Sequence, residues 1–257
     1  MDNILIAAIA FVTSVIAGTL GLGGAVMLIP AYLYVPGLFG LTALDVKSVS
    51  GMTSMQVFCS AFIGMLIHKK RGAVNKRLVL SMGIPITFAS FSGALFSKSV
   101  EPNTIITVFA FLAIIGSVFV FLKKGSSEQE LTQQISFNTV GAIGIALFVG
   151  FFGGMVGAPG AFLISPLMMT VLNIPTRITI GSTLGIVVLS AFAASVGKIT
   201  TGQVPYLPTL IAMVSAIPGV YIGSNLSHRL SIKILRLALA IIIAGVGVQM
   251  LYRAFIS

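Results

Sequence analysis

Apolar residues run along this chain in long uninterrupted blocks, with no alternation at the spacing of a half-buried helix or strand. The stretches 4–20, 49–67, 103–122 and 237–251 hold no Asp, Glu, Lys or Arg, and a bilayer-spanning helix needs about 17 to 25 such residues. Cutting at the polar gaps predicts ten segments, near 4–20, 24–39, 49–67, 78–97, 103–122, 137–153, 160–173, 180–197, 207–226 and 232–254. Segments two and seven are short, begin in glycine and contain Pro30 and Pro166, so half-helices or broken helices are expected there. Whether segments one, two, six and seven cross or re-enter is open at this level. The polar stretch 123–136 is read as a cytoplasmic linker between repeats at 1–122 and 137–257.

The two sides of that linker repeat each other. Gly21 to Pro30 aligns with Gly157 to Pro166 at an offset of 136 (157 − 21). At an offset of 130 (177 − 47), Lys47 then pairs with Arg177, Gly51 with Gly181, Thr53 with Thr183, Ser60 to Phe62 with Ser190 to Phe192, Gly72 with Gly202 and Gly93 with Gly223. Five segments per half is an odd number, so the second copy enters the membrane from the opposite side. The fold class expected is an all-α polytopic membrane protein of two inverted-topology repeats, with breaks at the Gly-rich motifs.

Composition agrees with a lipid solvent. The 257 residues are 57% hydrophobic and 8% charged, with mean hydropathy +1.11, whereas soluble domains carry roughly 25% charged residues. Fifteen Lys plus Arg stand against five Asp plus Glu, and they occupy the gaps between apolar blocks, which argues for a positive-inside pattern and against nucleic acid. If Lys69, Lys70, Arg71, Lys76 and Arg77 are cytoplasmic, alternation puts Lys123, Lys124, Arg177, Arg229, Lys233 and Arg236 inside as well. Lys47, Lys98, Lys198 and Arg253 fall outside, a division of 11 to 4. A multi-pass protein of the cell (inner) membrane with both termini on the non-cytoplasmic side is expected. Asp2 and the lack of a basic run before the first block argue against a cleaved signal peptide.

The candidate chemistry is carried by backbone and hydroxyls. A break within the membrane presents N–H groups at the start of the next helix, and their partial positive charge suits an anion. Gly21, Gly23 and Gly24 in one half, and Gly157 and Gly160 in the other, would let the chain break and approach a ligand; the competing reading is helix packing. Ser50, Gly51, Thr53 and Ser54, with Gly181, Ser182 and Thr183 in the other half, begin spans a few residues after Lys47 or Arg177. Their hydroxyls can donate to an anion or bond to the preceding turn. Lys47 and Arg177 offer attraction at segment ends or snorkel to the interface. Pro30, Pro159 and Pro166 are candidate helix breakers.

Other polar residues offer less. His68 and His228 adjoin basic residues and read as loop positions, and Cys59 reads as a small buried hydrophobe. Gln56 and Gln249 would line a path or bond across helices. No metal-ligand spacing, Gly-x-Ser-x-Gly element or embedded histidine is found, so neither metal, cofactor nor enzyme activity is expected. The acids Asp2, Asp45, Glu101, Glu128 and Glu130 lie at segment ends or in the linker, which leaves no buried carboxylate to relay a proton.

With the duplicated glycine motif, its following proline and the basic-then-Gly-Ser/Thr element, the chain resembles the TauE/SafE family, the sulfite exporter or four-toluene-sulfonate uptake permease group. The resemblance covers essentially the whole length, with Pro159 standing where the first half has Gly23. It implies a carrier of sulfite, sulfonates or related organosulfur anions. An anion leaving a cell with a negative interior gains about 2.3 kcal/mol per charge per 100 mV, so potential-driven export by alternating access around a midplane site is expected. Uptake, an anion channel and a membrane anchor subunit are the alternatives. The expected partners are a small anion and the bilayer, and oligomeric state is not legible.

Overall fold

The computed structural model describes residues 2–20, 25–42, 44–70, 73–122, 137–158 and 160–227, together with 237, 241, 244–246, 248 and 249 in the last segment. The linker 123–136, Gly21, Gly23, Gly24, Pro159 and His228 lie outside the described residues. Among the described residues there are no strands, and nine α-helices follow the predicted blocks. They are α1 (Asn3–Leu20), α2 (Ala25–Leu38), α3 (Val46–Lys70), α4 (Lys76–Phe96), α5 (Pro102–Leu122), α6 (Thr139–Val156), α7 (Ala161–Thr170), α8 (Thr176–Thr200) and α9 (Tyr206–Ser227). Seven of them are long and apolar enough to cross a bilayer; α2 and α7 are not. The ten residues of α7 reach roughly 15 Å, half a hydrocarbon core. The protein is thus an all-α polytopic membrane protein.

Burial separates the centre from the rim. Some 83% of the most apolar stretch of α8 is buried, against 39% for α5 and α9, so α8 is the core helix, with α3 lying against it. On α9, Leu207, Leu210, Val214, Ile217 and Tyr221 are exposed along one stripe, and on α4 Leu80, Ile84, Phe88 and Phe91 are likewise exposed. Large apolar stripes of this kind are covered by lipid or by another protein surface, not by water.

Glycines set how the helices meet. Without a Cβ they let backbones approach, which is the main source of helix association in lipid. On the central pair, Gly51 near the start of α3 lies against the Gln203 carbonyl beyond the end of α8, while Gly181 near the start of α8 lies against the Ala73 carbonyl beyond the end of α3. The two helices therefore run antiparallel. Around them α1 runs parallel to α9, and α4 parallel to α6. Gly223 meets the Val15 carbonyl and Thr19 amide, and Gly93 meets the Phe151 carbonyl and Met155 amide.

Each of these contacts has a twin in the other half. Adding 130 takes Gly93 to Gly223 and Ala73 to Gln203, and adding 136 takes Val15 to Phe151 and Thr19 to Met155, so the pairs above are the same contact made twice. Gly18 against the Val220 carbonyl likewise repeats as Gly154 against the Ser90 carbonyl. Where Gly219 makes room for the Ser14 side chain, the equivalent Ala89 side chain meets Gly150. The two sides of that contact have exchanged the missing methyl.

Pro30 and Pro166 do not break their helices; α2 and α7 continue through them. Each is the sixth residue of its helix, so its missing N–H leaves the carbonyl four residues back, Val26 or Phe162, without the usual donor. Membrane helices tolerate this when neighbours supply substitutes, and before α7 the interruption falls at Gly157 and Gly160 instead. His68 is a second correction. It is not a loop residue, because α3 runs on to Lys70 and holds it 2% exposed. Cys59 is half-buried, not buried, and Gln249 is helical and exposed.

Candidate functional site

The interruption between α6 and α7 is built by backbone geometry. Gly157 takes φ 79° and Gly160 φ 65°, a region that side-chain-bearing residues rarely enter. The Ala158 amide donates back to the Gly153 carbonyl at 3.1 Å and the Gly157 amide to the Gly154 carbonyl at 3.3 Å, a Schellman closure of α6. The Gly160 amide folds back onto the Ala158 carbonyl, and the Gly160 carbonyl accepts from Leu163 and Ile164 at 2.9 and 2.8 Å. The main-chain N–H groups of Ala161 and Phe162 are left with no partner among the described residues. These are the orphan donors expected at a helix start, and they sit inside the protein beside buried Gly160 and Phe162.

The start of α3 faces this turn. Thr53 Oγ1 donates to the Gly157 carbonyl at 3.0 Å and to the Ser50 carbonyl at 3.1 Å. Gly157 is pressed so closely on Ser50 that any side chain there would overlap the Ser50 carbonyl and hydroxyl. Ser50 is 1% exposed and its Oγ has no partner among the described residues. The hydroxyls of Ser60, Ser195 and Ser224 are also buried with no partner among the described residues, so what sets Ser50 apart is its place against the Gly157 turn. Ser50 and Thr53 lie four and seven residues after Val46, about 6 to 10 Å along α3. The turn therefore sits toward one end of α3 and not at its midpoint.

The other candidates divide between packing and the second half. Gly51 and Gly181 seat loop carbonyls, as described above, and Ser54 Oγ donates to the Gly51 carbonyl of its own helix at 2.8 Å. Ser182 Oγ accepts the Asn75 amide at 2.9 Å, pinning the loop before α4. Thr183 Oγ1 accepts from Ser165 Oγ at 3.3 Å and lies 3.5 Å from Met168 Sδ. By the repeat it corresponds to Thr53, and the residue equivalent to Gly157 is Gly21, outside the described residues. Lys47 and Arg177 are half-buried in the first turns of the antiparallel α3 and α8, hence at opposite ends of the pair. The Lys47 ammonium donates to the Lys98 carbonyl at 2.7 Å.

Of the two readings open for Gln56 the structure shows the second, and one further feature, Lys198, escaped the sequence. Gln56 bonds across helices: its Oε1 accepts from Tyr32 Oη at 2.7 Å and its Nε2 donates to Ser14 Oγ at 3.3 Å, tying α2, α3 and α1 inside the first half. Met168 stands where the repeat would place a second Tyr32. Lys198 is not a loop residue outside the membrane; it is fully buried in α8. Its Nζ donates to Ser97 Oγ at 2.7 Å, the Met155 carbonyl at 3.0 Å and Gln203 Oε1 at 3.1 Å. The signal for it was its pairing with His68 at the repeat's 130-residue offset (198 − 68).

A membrane-embedded helix break, orphan amides and a duplicated helical scaffold are features of transporters, and comparison with known proteins agrees. The family model described as Sulfite exporter TauE/SafE matches residues 6–250. The chain is 23% identical over 275 residues to the probable membrane transporter protein YunE of Bacillus subtilis, with both chains covered in full. It is also 23% identical over 261 residues to the probable membrane transporter protein MJ0441 of Methanocaldococcus jannaschii, covering 96% of this chain and 94% of that one. No solved structure matches. The chain belongs to the sulfite exporter TauE/SafE family of membrane transporters.

Proposed function

We propose that the chain carries a small oxyanion, sulfite or an organosulfonate, out of the cell, and that the turn at Gly157 to Gly160 is where the anion is held. The observation that carries this reading is the set of donors around the break that have no partner among the described residues: the amides of Ala161 and Phe162 at the start of α7, and the hydroxyl of Ser50 on α3 against Gly157. Neutral donors around the break, two of them at the positive end of α7, stabilise a negative charge without bringing a formal cation to the same point. The family's description as sulfite exporters supports the class of anion.

Alternating access follows from two opposed halves. The duplicated glycine contacts and the antiparallel α3 and α8 support an inverted repeat whose halves rock against each other. With buried Lys198 set aside, the charge division becomes 11 to 3 (4 − 1) and supports both termini on the non-cytoplasmic side of the cell membrane. Among the described residues Asp2, Asp45 and Glu101 are all exposed or terminal, so the membrane potential is the driving force this reading assigns. Proteoliposomes containing the chain alone test it with labelled sulfite. Saturable efflux that accelerates when the interior is made negative supports electrogenic export. Saturable flux indifferent to potential removes the electrogenic mechanism, and flux that never saturates means a channel.

A further inference from the structure

Lys198 is the one fully buried lysine among the described residues, and the break does not use it. Its three hydrogen bonds go to a hydroxyl, a main-chain carbonyl and a side-chain amide oxygen, all uncharged. No carboxylate is among its partners. The acids at the same helix ends, Asp45 before α3 and Glu101 before α5, are both exposed, and Asp45 accepts the Ser48 amide as the cap of α3. A buried ammonium is normally matched by an opposing charge, and the carbonyl end of α6 offers only about half of one. A second cation adds to the excess, since Lys47 holds the carbonyl of Lys98, the residue next to Ser97.

The place of Lys198 connects it to the break. Met155 is two residues before Gly157, so the Lys198 ammonium grips a carbonyl in the last turn of α6, just ahead of the break. Gln203 is held between this ammonium and Gly51, one residue from Ser50. Ser97 closes the group from the end of α4 and also accepts from Gln203 Nε2 at 3.1 Å. Resting on the reading that this is an oxyanion carrier, we infer that Lys198 is a fixed counter-charge for the transported oxyanion on the Lys47 side, and that its bond to the Met155 carbonyl is a latch the anion displaces. The anion's oxygens take the place of the carbonyl, and α6 is then released to move at the Gly157 turn.

The repeat makes the device one-sided. At the equivalent place in the other half stands His68, also buried, and the main chain around it is the same: the Ala73 amide donates to the His68 carbonyl at 3.2 Å, as the Gln203 amide does to the Lys198 carbonyl at 3.0 Å. Because α3 and α8 are antiparallel, that place lies at the far end of the pair. Lys198 therefore governs anion affinity at one face only.

The test uses the full chain in oriented proteoliposomes with labelled sulfite, alongside thermal unfolding in detergent with sodium sulfite or sodium chloride at matched ionic strength. Lys198→Met is expected to raise the KM for sulfite presented at the Lys47 face by on the order of ten- to a hundredfold, the worth of a charge-assisted hydrogen bond. KM at the opposite face stays unchanged, and Lys198→Arg retains most of the wild-type affinity. Gln203→Glu is the second variant, needed if Lys198→Met does not insert. It supplies the ammonium with a built-in carboxylate, so it should unfold at higher temperature while losing both sulfite protection and flux. Saturable wild-type flux with KM unchanged in Lys198→Met, or with sulfite protection intact in Gln203→Glu, overturns the inference and leaves the transport reading standing. A wild-type chain with neither flux nor protection by sulfite overturns both.

Discussion

Thr53 and Gly157 are 104 residues apart in sequence and joined by a 3.0 Å hydrogen bond, from the Thr53 hydroxyl on α3 to the Gly157 carbonyl at the end of α6. The bond fixes the glycine turn against the start of a central helix, and it leaves the adjacent Ser50 hydroxyl unspent. One hydroxyl of the pair is thus structural and its neighbour is free. Thr53→Val should lower unfolding stability by about 0.5 to 1.5 kcal/mol, the usual net worth of one such bond. Thermal unfolding in detergent checks it, and no loss would mean the bond does not hold the turn.

Gly157 is expected to be far less replaceable than Gly202, although both have positive φ, 79° and 73°. Nothing lies within 4 Å of a methyl added at Gly202, whereas one added at Gly157 overlaps the Ser50 carbonyl and hydroxyl. Gly202→Ala should therefore cost about 1 to 2 kcal/mol from backbone strain alone. Gly157→Ala adds a clash to that strain, and its melting temperature in detergent should fall well below that of Gly202→Ala. Equal losses would contradict the close approach at the turn.

The Tyr32–Gln56 bond invites a double-mutant cycle. Tyr32→Phe leaves the Gln56 oxygen buried without its donor, which should cost about 1 to 3 kcal/mol. Tyr32→Phe combined with Gln56→Leu should cost less than the two single changes added together, because the Tyr32–Gln56 bond is then counted once, while the lost bond to Ser14 is common to Gln56→Leu and the double variant. Strict additivity in unfolding experiments would show that the 2.7 Å contact carries no energy.

Sidedness is testable by chemical labelling. Lys98 lies outside α4 at the end near Lys47, and Lys76 begins α4 at the other end. With Cys59 replaced, Lys98→Cys should react with an impermeant thiol reagent added to intact cells and Lys76→Cys only after lysis. The reverse pattern would invert the orientation drawn from the charges.

Much of this architecture was legible because lipid imposes simple demands. Charge-free runs of spanning length became α1, α3 to α6, α8 and α9, and the short glycine-led runs became α2 and α7. The repeat's offsets, taken from the glycines, also locate equivalent contacts such as Gly93 with Phe151 and Gly223 with Val15. The prolines misled because a missing N–H can be absorbed by neighbours, which no local pattern reveals. Lys198 misled for a different reason: a lysine at the end of an apolar run normally snorkels to water, and only the tertiary placement of Ser97, Met155 and Gln203 gives it three acceptors inside. The Ser50 hydroxyl was visible as a candidate, but its lack of a partner is a property of the packed turn.

The central claim, that unspent donors at the Gly157 turn hold the anion, is tested most directly by the sulfite KM of Ser50→Ala in proteoliposomes. No hydrogen bond to the Ser50 side chain is lost, so the variant should unfold at the wild-type temperature while its KM rises roughly five- to tenfold, the worth of about one hydrogen bond. An unchanged KM at unchanged stability would contradict the account.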